Sequence, residues 1–381
     1  MAEAQKKYKY ALNSDGSLNV MNNPDEMVRF LDIDGNLDTK GKWVKKGYKP
    51  SLSNEQLLEA YKWMVLSRQQ DVYMLQLQRQ GRMLTFAPNL GEEALQVATA
   101  FAMNKEKDWF LPAFRSNAAM LALGVPMVNQ MKYWNGNEWG SHMPDGVKVV
   151  PINIVIASQI SNTAGVAYAL KHRKTGGVAV TFIGNGGTTE GEFSEAINFA
   201  AVQEWPAVFC VNNNQWAIST PNHFESIAAT ISGKAQAYGC AGVRVDGNDF
   251  LASYEVIKDA IEYTRNESKP IIVEFVTWRQ GPHTTSDNPR IYRTEAQEKE
   301  EEKWEPMHRF EKYLMDNGIL TEESKNQIWE DSLNVAKETF VESLKDIDTK
   351  IEDIFDYTYA ELPKELLEQK EEAIKFWKDH K

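Results

Sequence analysis

A chain of 381 residues exceeds the usual span of one domain, and a 42% hydrophobic share with 11 Trp and 16 Phe is enough to fill a large core. Its formal net charge of −12 speaks against a nucleic-acid role, since neutralising phosphates takes basic surface; positive charge for an anionic small molecule must therefore be local. Two cysteines without a C-x-x-C pair, no apolar signal-peptide core at the start, and no run near the ~18 apolar residues of a membrane span point to the cytoplasm and away from membranes.

Residues 1–50 read as a polar N-terminal arm. It holds two similar pieces, Ala11-Leu-Asn-Ser-Asp-Gly-Ser-Leu18 and Phe30-Leu-Asp-Ile-Asp-Gly-Asn-Leu37, each with an Asp-Gly hairpin signal. The second superficially resembles a calcium loop, but its Gly follows the second Asp directly, where a calcium loop needs another ligand in between. Ser53-Asn-Glu-Gln56 is a capping box opening a long helix that runs to about Gln80.

Residues 51–293 read as an α/β domain. Strand-like runs at 152–156, 178–183, 207–211, 243–245 and 271–275 alternate with helical patterns near 163–173, 190–203, 224–238 and 250–265. That alternation predicts a mainly parallel sheet flanked by helices. The polar stretch 277–293, with Gly281, Pro282, His283, Thr284 and Asp287, reads as a functional loop leaving the sheet. A histidine there has a titration range suited to proton transfer near neutrality. The other five of the six histidines have no such neighbours. From 294 to 381 the chain turns charged and helical, a solvated C-terminal extension.

The stretch 178–219 carries the chemistry. Val178-Ala-Val-Thr-Phe-Ile and Ala207-Val-Phe-Cys-Val are short, β-branched runs of the kind buried on both faces of a parallel sheet, and Cys210 is simply a small apolar member of one. Phe193, Ala196, Ile197, Ala200 and Ala201 recur between them at helical spacing, giving a strand, crossover helix and strand. Neighbouring strands lie about 5 Å apart. Asn185 and Asn214, each just past a strand, would then converge on one metal at the carboxyl edge of the sheet, where open α/β folds bind ligands. Gly184, Gly186 and Gly187 allow close backbone approach, and the next helix turns unpaired N–H groups toward the same place. A diphosphate held through Mg²⁺ suits this pairing of anion and cation sites. Other nucleotide readings fail on residues: a dinucleotide fingerprint needs Gly at 189, which is Thr, and no Lys-Ser/Thr pair follows Gly191.

Gly184-Asn-Gly186, 26 residues, then Asn213-Asn214 is similar to the thiamine-diphosphate motif. With Phe86-Ala-Pro-Asn-Leu-Gly-Glu-Glu-Ala-Leu-Gln96, Leu111-Pro-Ala-Phe-Arg115, Thr163-Ala-Gly-Val-Ala167 and Arg279-Gln-Gly-Pro-His-Thr-Thr-Ser-Asp287, the chain resembles the family of pyruvate dehydrogenase alpha subunits over roughly residues 50–370. These are first components of the 2-oxoacid dehydrogenase complexes. The resemblance implies a thiamine-diphosphate-binding fold, here its diphosphate-binding half. It places Asn185, the Asn214 side chain and the Trp216 carbonyl at the Mg²⁺ ligands. It places Gly186, Gly187 and Arg115 at the diphosphate, and Ile156 where backbone meets the aminopyrimidine. His283 falls at the loop histidine implicated in loop order and in acylation of the lipoyl group, with Arg279 beside it.

Two departures stand out: the family's metal-binding Asp is Asn185, and the Tyr before the diphosphate Arg is Phe114. Unit charges 4 Å apart interact by about 4 kcal/mol at an effective dielectric of 20, so losing a carboxylate predicts looser, more Mg²⁺-dependent cofactor retention. The implied activity is oxidative decarboxylation of pyruvate, with the acetyl group passing to the lipoyl group of a dihydrolipoyl acetyltransferase. The family's cofactor also needs a Glu from another domain. This sequence shows no such domain, so a beta subunit in an α₂β₂ heterotetramer is the expected partner. Alternatives are a branched-chain 2-oxoacid or acetoin dehydrogenase alpha subunit, or a noncatalytic structural or adhesive paralogue.

Overall fold

Alternating side chains along the buried strands explain the layering of this molecule, a computed structural model that describes residues 8–345 and 350–380. In chain order the first elements are α1 (Asn54–Arg79), α2 (Glu93–Ala102), β1 (Trp109–Leu111), α3 (Asn117–Leu123), α4 (Met127–Trp134) and α5 (Ser158–His172). Then come β2 (Ala179–Gly184), α6 (Gly191–Val202), β3 (Ala207–Asn213), a small hairpin of β4 (Trp216–Ala217) and β5 (Thr220–Pro221), and α7 (Ala235–Tyr238). The set ends with β6 (Ala241–Asp246), α8 (Phe250–Glu267), β7 (Ile271–Val276) and the helices α9 (Glu295–Glu302), α10 (Pro306–Asp316), α11 (Glu322–Ser343), α12 (Asp353–Asp356) and α13 (Lys364–Asp379).

Five strands form one parallel sheet in the order β1-β2-β3-β7-β6. Because strand side chains alternate, Val180, Phe182, Val208, Cys210, Val273 and Phe275 join one layer with α2 and α8 residues such as Val97 and Ile257. Ala179, Ile183, Phe209, Val211 and Ile272 face the other way, onto Ile160 and Ala164 of α5 and Phe193 and Ile197 of α6. Every residue of β3 is buried, as the apolar run predicts. The pairing of β2 with β3 is direct, with Gly184 opposite Asn212, so the two strands end together.

The N-terminal hairpins form at the Asp-Gly signals. Leu12 bridges Leu18 and Leu31 bridges Leu37 antiparallel, with Gly16 and Gly35 at φ 84° and 79°. Between them the chain runs beside the sheet edge: Val20 bridges Gly242 and Val28 bridges Val245, both parallel. Two buried carboxylates hold this stretch. Asp259 accepts from the N–H groups of Lys9, Tyr10 and Ala11, and Asp249 from those of Phe30 and Leu31. Ser53 caps α1, accepting from the Gln56 N–H while the Gln56 side chain accepts from the Ser53 N–H.

Two expectations fail. Residues 152–156 form no strand; only Asn153 bridges Ala113, and Ile154, Val155 and Ile156 are 50%, 69% and 45% exposed. The sheet edge is instead β1, and the apolar run is a wall ending at Ala157, whose left-handed φ of 68° turns the chain into α5. The helix expected at 224–238 is confined to α7, with short 3₁₀ turns at Asn222–Phe224 and Ser232–Lys234. The Thr230 and Ser232 hydroxyls both donate to the Met21 carbonyl, at 2.8 and 2.6 Å, fixing this backbone to the N-terminal segment in place of its own helix.

By its contacts the chain divides into two compact units, Met1–Phe340 and Val341–Lys381. The first holds the sheet. Within the second, Lys370 of α13 pairs with Asp356 of α12.

Candidate active site

The site sits where β2 and β3 end. Asn185 follows β2 and opens a 3₁₀ turn, Gly186–Thr189, that leads into α6. Asn214 follows β3, and the chain then reverses through Gln215 and Ile218, both left-handed at φ 72° and 55°, to make the β4–β5 hairpin. Glycine is required in the turn for space. A Cβ on Gly186 would come within 2.5 Å of the Ala217 Cβ, and one on Gly187 within 2.7 Å of the Ile183 side chain.

Each asparagine is held by a carboxylate. Asn185 Nδ2 donates to Glu225 Oε1 at 3.0 Å and Oε2 at 2.8 Å, while its Oδ1 is buried without a hydrogen-bond partner. Asn214 Nδ2 donates to Glu92 Oε1 at 2.7 Å, and Asn212 Nδ2 to Glu92 Oε2 at 2.9 Å. Glu92 is fully buried; burial raises its pKa against the pull of Arg115, whose Nε lies 3.9 Å away, and of the donating amides. Glu92, Asn212 and Glu225 went unassigned in the sequence. Glu92 lay in plain view within Gly91-Glu-Glu-Ala94, but its partners are 120 and 122 residues away, and no local spacing signals such a contact.

Positive charge is indeed local. Arg115 donates to the Pro88 carbonyl, to the His283 carbonyl at 2.8 Å and to His283 Nδ1 at 3.3 Å. Arg279 donates to the Ile218 carbonyl at 2.7 Å and the Tyr292 hydroxyl at 2.8 Å, leaving its buried Nε and a second terminal nitrogen without partners. Burial and the neighbouring Arg115 lower its pKa to about 10.

His283 departs from the expected titration near neutrality. Burial, then Arg115 and Arg279, lower its pKa to about 4, with Asp287 opposing. The ring is therefore neutral at physiological pH. Arginine has no lone pair to offer, so Nδ1 must accept from Arg115 and the proton resides on Nε2. Phe114 packs edge-on against this ring at 5.9 Å, and Asp287 accepts from the His283 N–H at 2.8 Å. Arg293 ties down the loop through the carbonyls of Arg279, Gln280 and Gly281.

A cavity of about 650 Å³ opens here. Arg115, Ile156, Gly186, Gly187, Asn214, Trp216, Arg279 and His283 all line it. Asn185, 1% exposed, is not on its wall but adjoins Gly184 and Gly186, which are. Ile154 and Val155 continue the wall from Ile156. Among the described residues no group of three or more His, Cys, Asp or Glu side chains is placed to hold a metal ion. No helix among the described residues is long and apolar enough to cross a membrane.

Comparison with known proteins agrees with this arrangement. The sequence model of a family described as "Dehydrogenase E1 component" matches residues 61–352. A protein of Mycoplasma genitalium named pyruvate dehydrogenase E1 component subunit alpha is 47% identical over 342 residues, 90% of this chain and 95% of its own. Its namesake in Mycoplasma pneumoniae is 48% identical over 345 residues, 90% of this chain and 95% of its own. The namesake in Staphylococcus aureus is 37% identical over 347 residues, covering 91% and 92%.

Proposed function

The chain belongs to the dehydrogenase E1 component family of oxidoreductases, beside its pyruvate dehydrogenase alpha subunits, and from that footing we propose that it catalyses oxidative decarboxylation of pyruvate with thiamine diphosphate and Mg²⁺. The observation that carries this reading is the meeting, at one sheet edge, of the Asn185 and Asn214 carboxamides and the Gly186–Gly187 turn with two buried guanidiniums, Arg115 and Arg279. The unpartnered Asn185 Oδ1 fits a cation ligand. Asn185, Asn214 and the Trp216 carbonyl would hold Mg²⁺, Gly186 and Gly187 would offer N–H groups to the diphosphate, and Ile156 would meet the aminopyrimidine. When bound, thiamine diphosphate supplies a carbon nucleophile for the keto group and a sink for the electron pair left by CO₂.

The protein's part is placement and charge. Arg115 and Arg279, both buried, draw anions into the cavity, where exclusion of water strengthens their attraction. His283 presents a proton on Nε2 at the wall and acts as a hydrogen-bond donor toward the reacting groups and, later, the lipoyl sulfur. The half-exposed wall Ile154-Val155-Ile156 supports a second, beta subunit that closes the cavity, supplies the missing Glu and completes an α₂β₂ heterotetramer in the cytoplasm. The acetyl group then passes to the lipoylated dihydrolipoyl acetyltransferase.

The test is co-expression with the beta subunit and decarboxylation assays on pyruvate, a branched-chain 2-oxoacid and acetoin, with and without thiamine diphosphate and Mg²⁺. Pyruvate should turn over fastest, and the isolated chain should be inert. Full activity of the isolated chain would overturn the two-subunit reading, and a complex that binds cofactor yet turns over nothing would make this a noncatalytic paralogue.

A further inference from the structure

We propose that Glu225 is a positioning residue for the metal site: it locks the Asn185 carboxamide with Oδ1 turned toward the ion and supplies the anionic charge that Asn185 lacks. The proposal rests on the cofactor reading above and deepens it.

The oxygen and nitrogen ends of a carboxamide have nearly the same shape, so its orientation is dictated by what surrounds it. A carboxylate only accepts hydrogen bonds. Both oxygens of Glu225 lie within reach of Asn185 Nδ2, at 3.0 and 2.8 Å, so the NH₂ must face Glu225 and the oxygen must face away. That oxygen is buried and has no partner. A buried acceptor in this state is costly to keep, and a cation is the partner it suits.

Charge makes the second half of the case. A divalent ion held only by two neutral carboxamides and a backbone carbonyl has no anionic protein ligand. Two carboxylates hydrogen-bond those ligands while themselves reaching the cavity wall, and they are not equivalent. Glu92, behind Asn214, already has Arg115 at 3.9 Å as a counter-charge. Glu225, behind Asn185, has no ion pair among the described residues; Lys234 acts on it only through space, because the Lys234 ammonium donates to the Thr188 carbonyl and hydroxyl. The Glu225 charge is thus free to act on the ion through the polarised amide, as carboxylates behind metal-bound histidines do. The negative charge expected to be lost at position 185 stands instead on its hydrogen-bonded neighbour Glu225, at the cavity wall. An Asp at 185 would set two carboxylates against each other.

The pair predicts a reciprocal swap. In the alpha–beta complex with thiamine diphosphate, Mg²⁺ is titrated by calorimetry and by tryptophan fluorescence, which Trp216 on the cavity wall makes sensitive to filling. Glu225→Gln should weaken Mg²⁺ binding about 10- to 100-fold, the usual effect of losing a group that orients a metal ligand. The double variant Asn185→Asp with Glu225→Gln should recover wild-type affinity to within about twofold, the scatter of such cycles. Thermal melts without Mg²⁺ verify folding. A Glu225→Gln curve that coincides with wild type, or a swap no tighter than Glu225→Gln, overturns the proposal. If Glu225→Gln fails to assemble, the swap alone decides, and a swap tenfold or more weaker than wild type overturns it. Wild-type complex that binds thiamine diphosphate without regard to Mg²⁺ would instead sink the cofactor reading itself.

Discussion

His283 shows how far a single side chain can depart from its ordinary behaviour. Its position in the loop was legible from the sequence, but its protonation was not, because burial, and then two guanidiniums that arrive from 168 residues upstream and from its own loop, hold it neutral. With a pKa of about 6.5 in the unfolded chain and about 4 in the folded one, the unfolded state binds the extra proton first as pH falls. Stability on this account is complete above pH 6.5 and is lost progressively toward pH 4. We expect His283→Asn to flatten that part of the profile, read as the urea midpoint at several pH values between 4 and 7. An unchanged slope would show that other groups dominate acid sensitivity. That Asn185 and Asn214 each lie just past a strand was legible in the sequence, whereas the contact of Asn185 with Glu225 was not, because it spans 40 residues with no local spacing to signal it.

Among elements, those with strong local signals appear where the residues place them. The capping box at Ser53, the Asp-Gly hairpins and the strand–helix–strand from Ala179 to Asn213 are written in neighbouring residues. The failures have a common cause: composition was right and context was missing. Ile154, Val155 and Ile156 are apolar because they wall a cavity, not because a sheet buries them. The helical periodicity of 224–238 loses to hydroxyl bonds with a carbonyl some 210 residues away. Removing both anchors, with Thr230→Val and Ser232→Ala, should cost about 1 kcal/mol each, since each buried hydroxyl bond contributes on that order. The loss is measurable in denaturant melts. A neutral result would mean that the turn from 222 to 234 is held by something other than these hydroxyls.

At the scale of the whole molecule, the parallel sheet and its two helical layers were readable from alternation alone, while the completeness of the site was not. The cavity has an apolar rim at Ile154 and Val155 that the chain itself leaves half-exposed. On the two-subunit reading this rim is the contact surface. Replacing both residues with Ser should weaken association with the beta subunit by roughly 2–4 kcal/mol, a value of the size that burial of two aliphatic side chains gives. Sedimentation velocity of the mixed subunits would register it as free alpha chain. Unaltered association would place the partner elsewhere.

The segment that carries Val20 and Val28 along β6 has a practical meaning for anyone handling the protein. Loss of the chain through Val28 would bare the amide rim of the outermost ribbon, and such rims recruit whatever extended backbone is nearby, including another copy. Trimming that far should promote self-association, which light scattering would register.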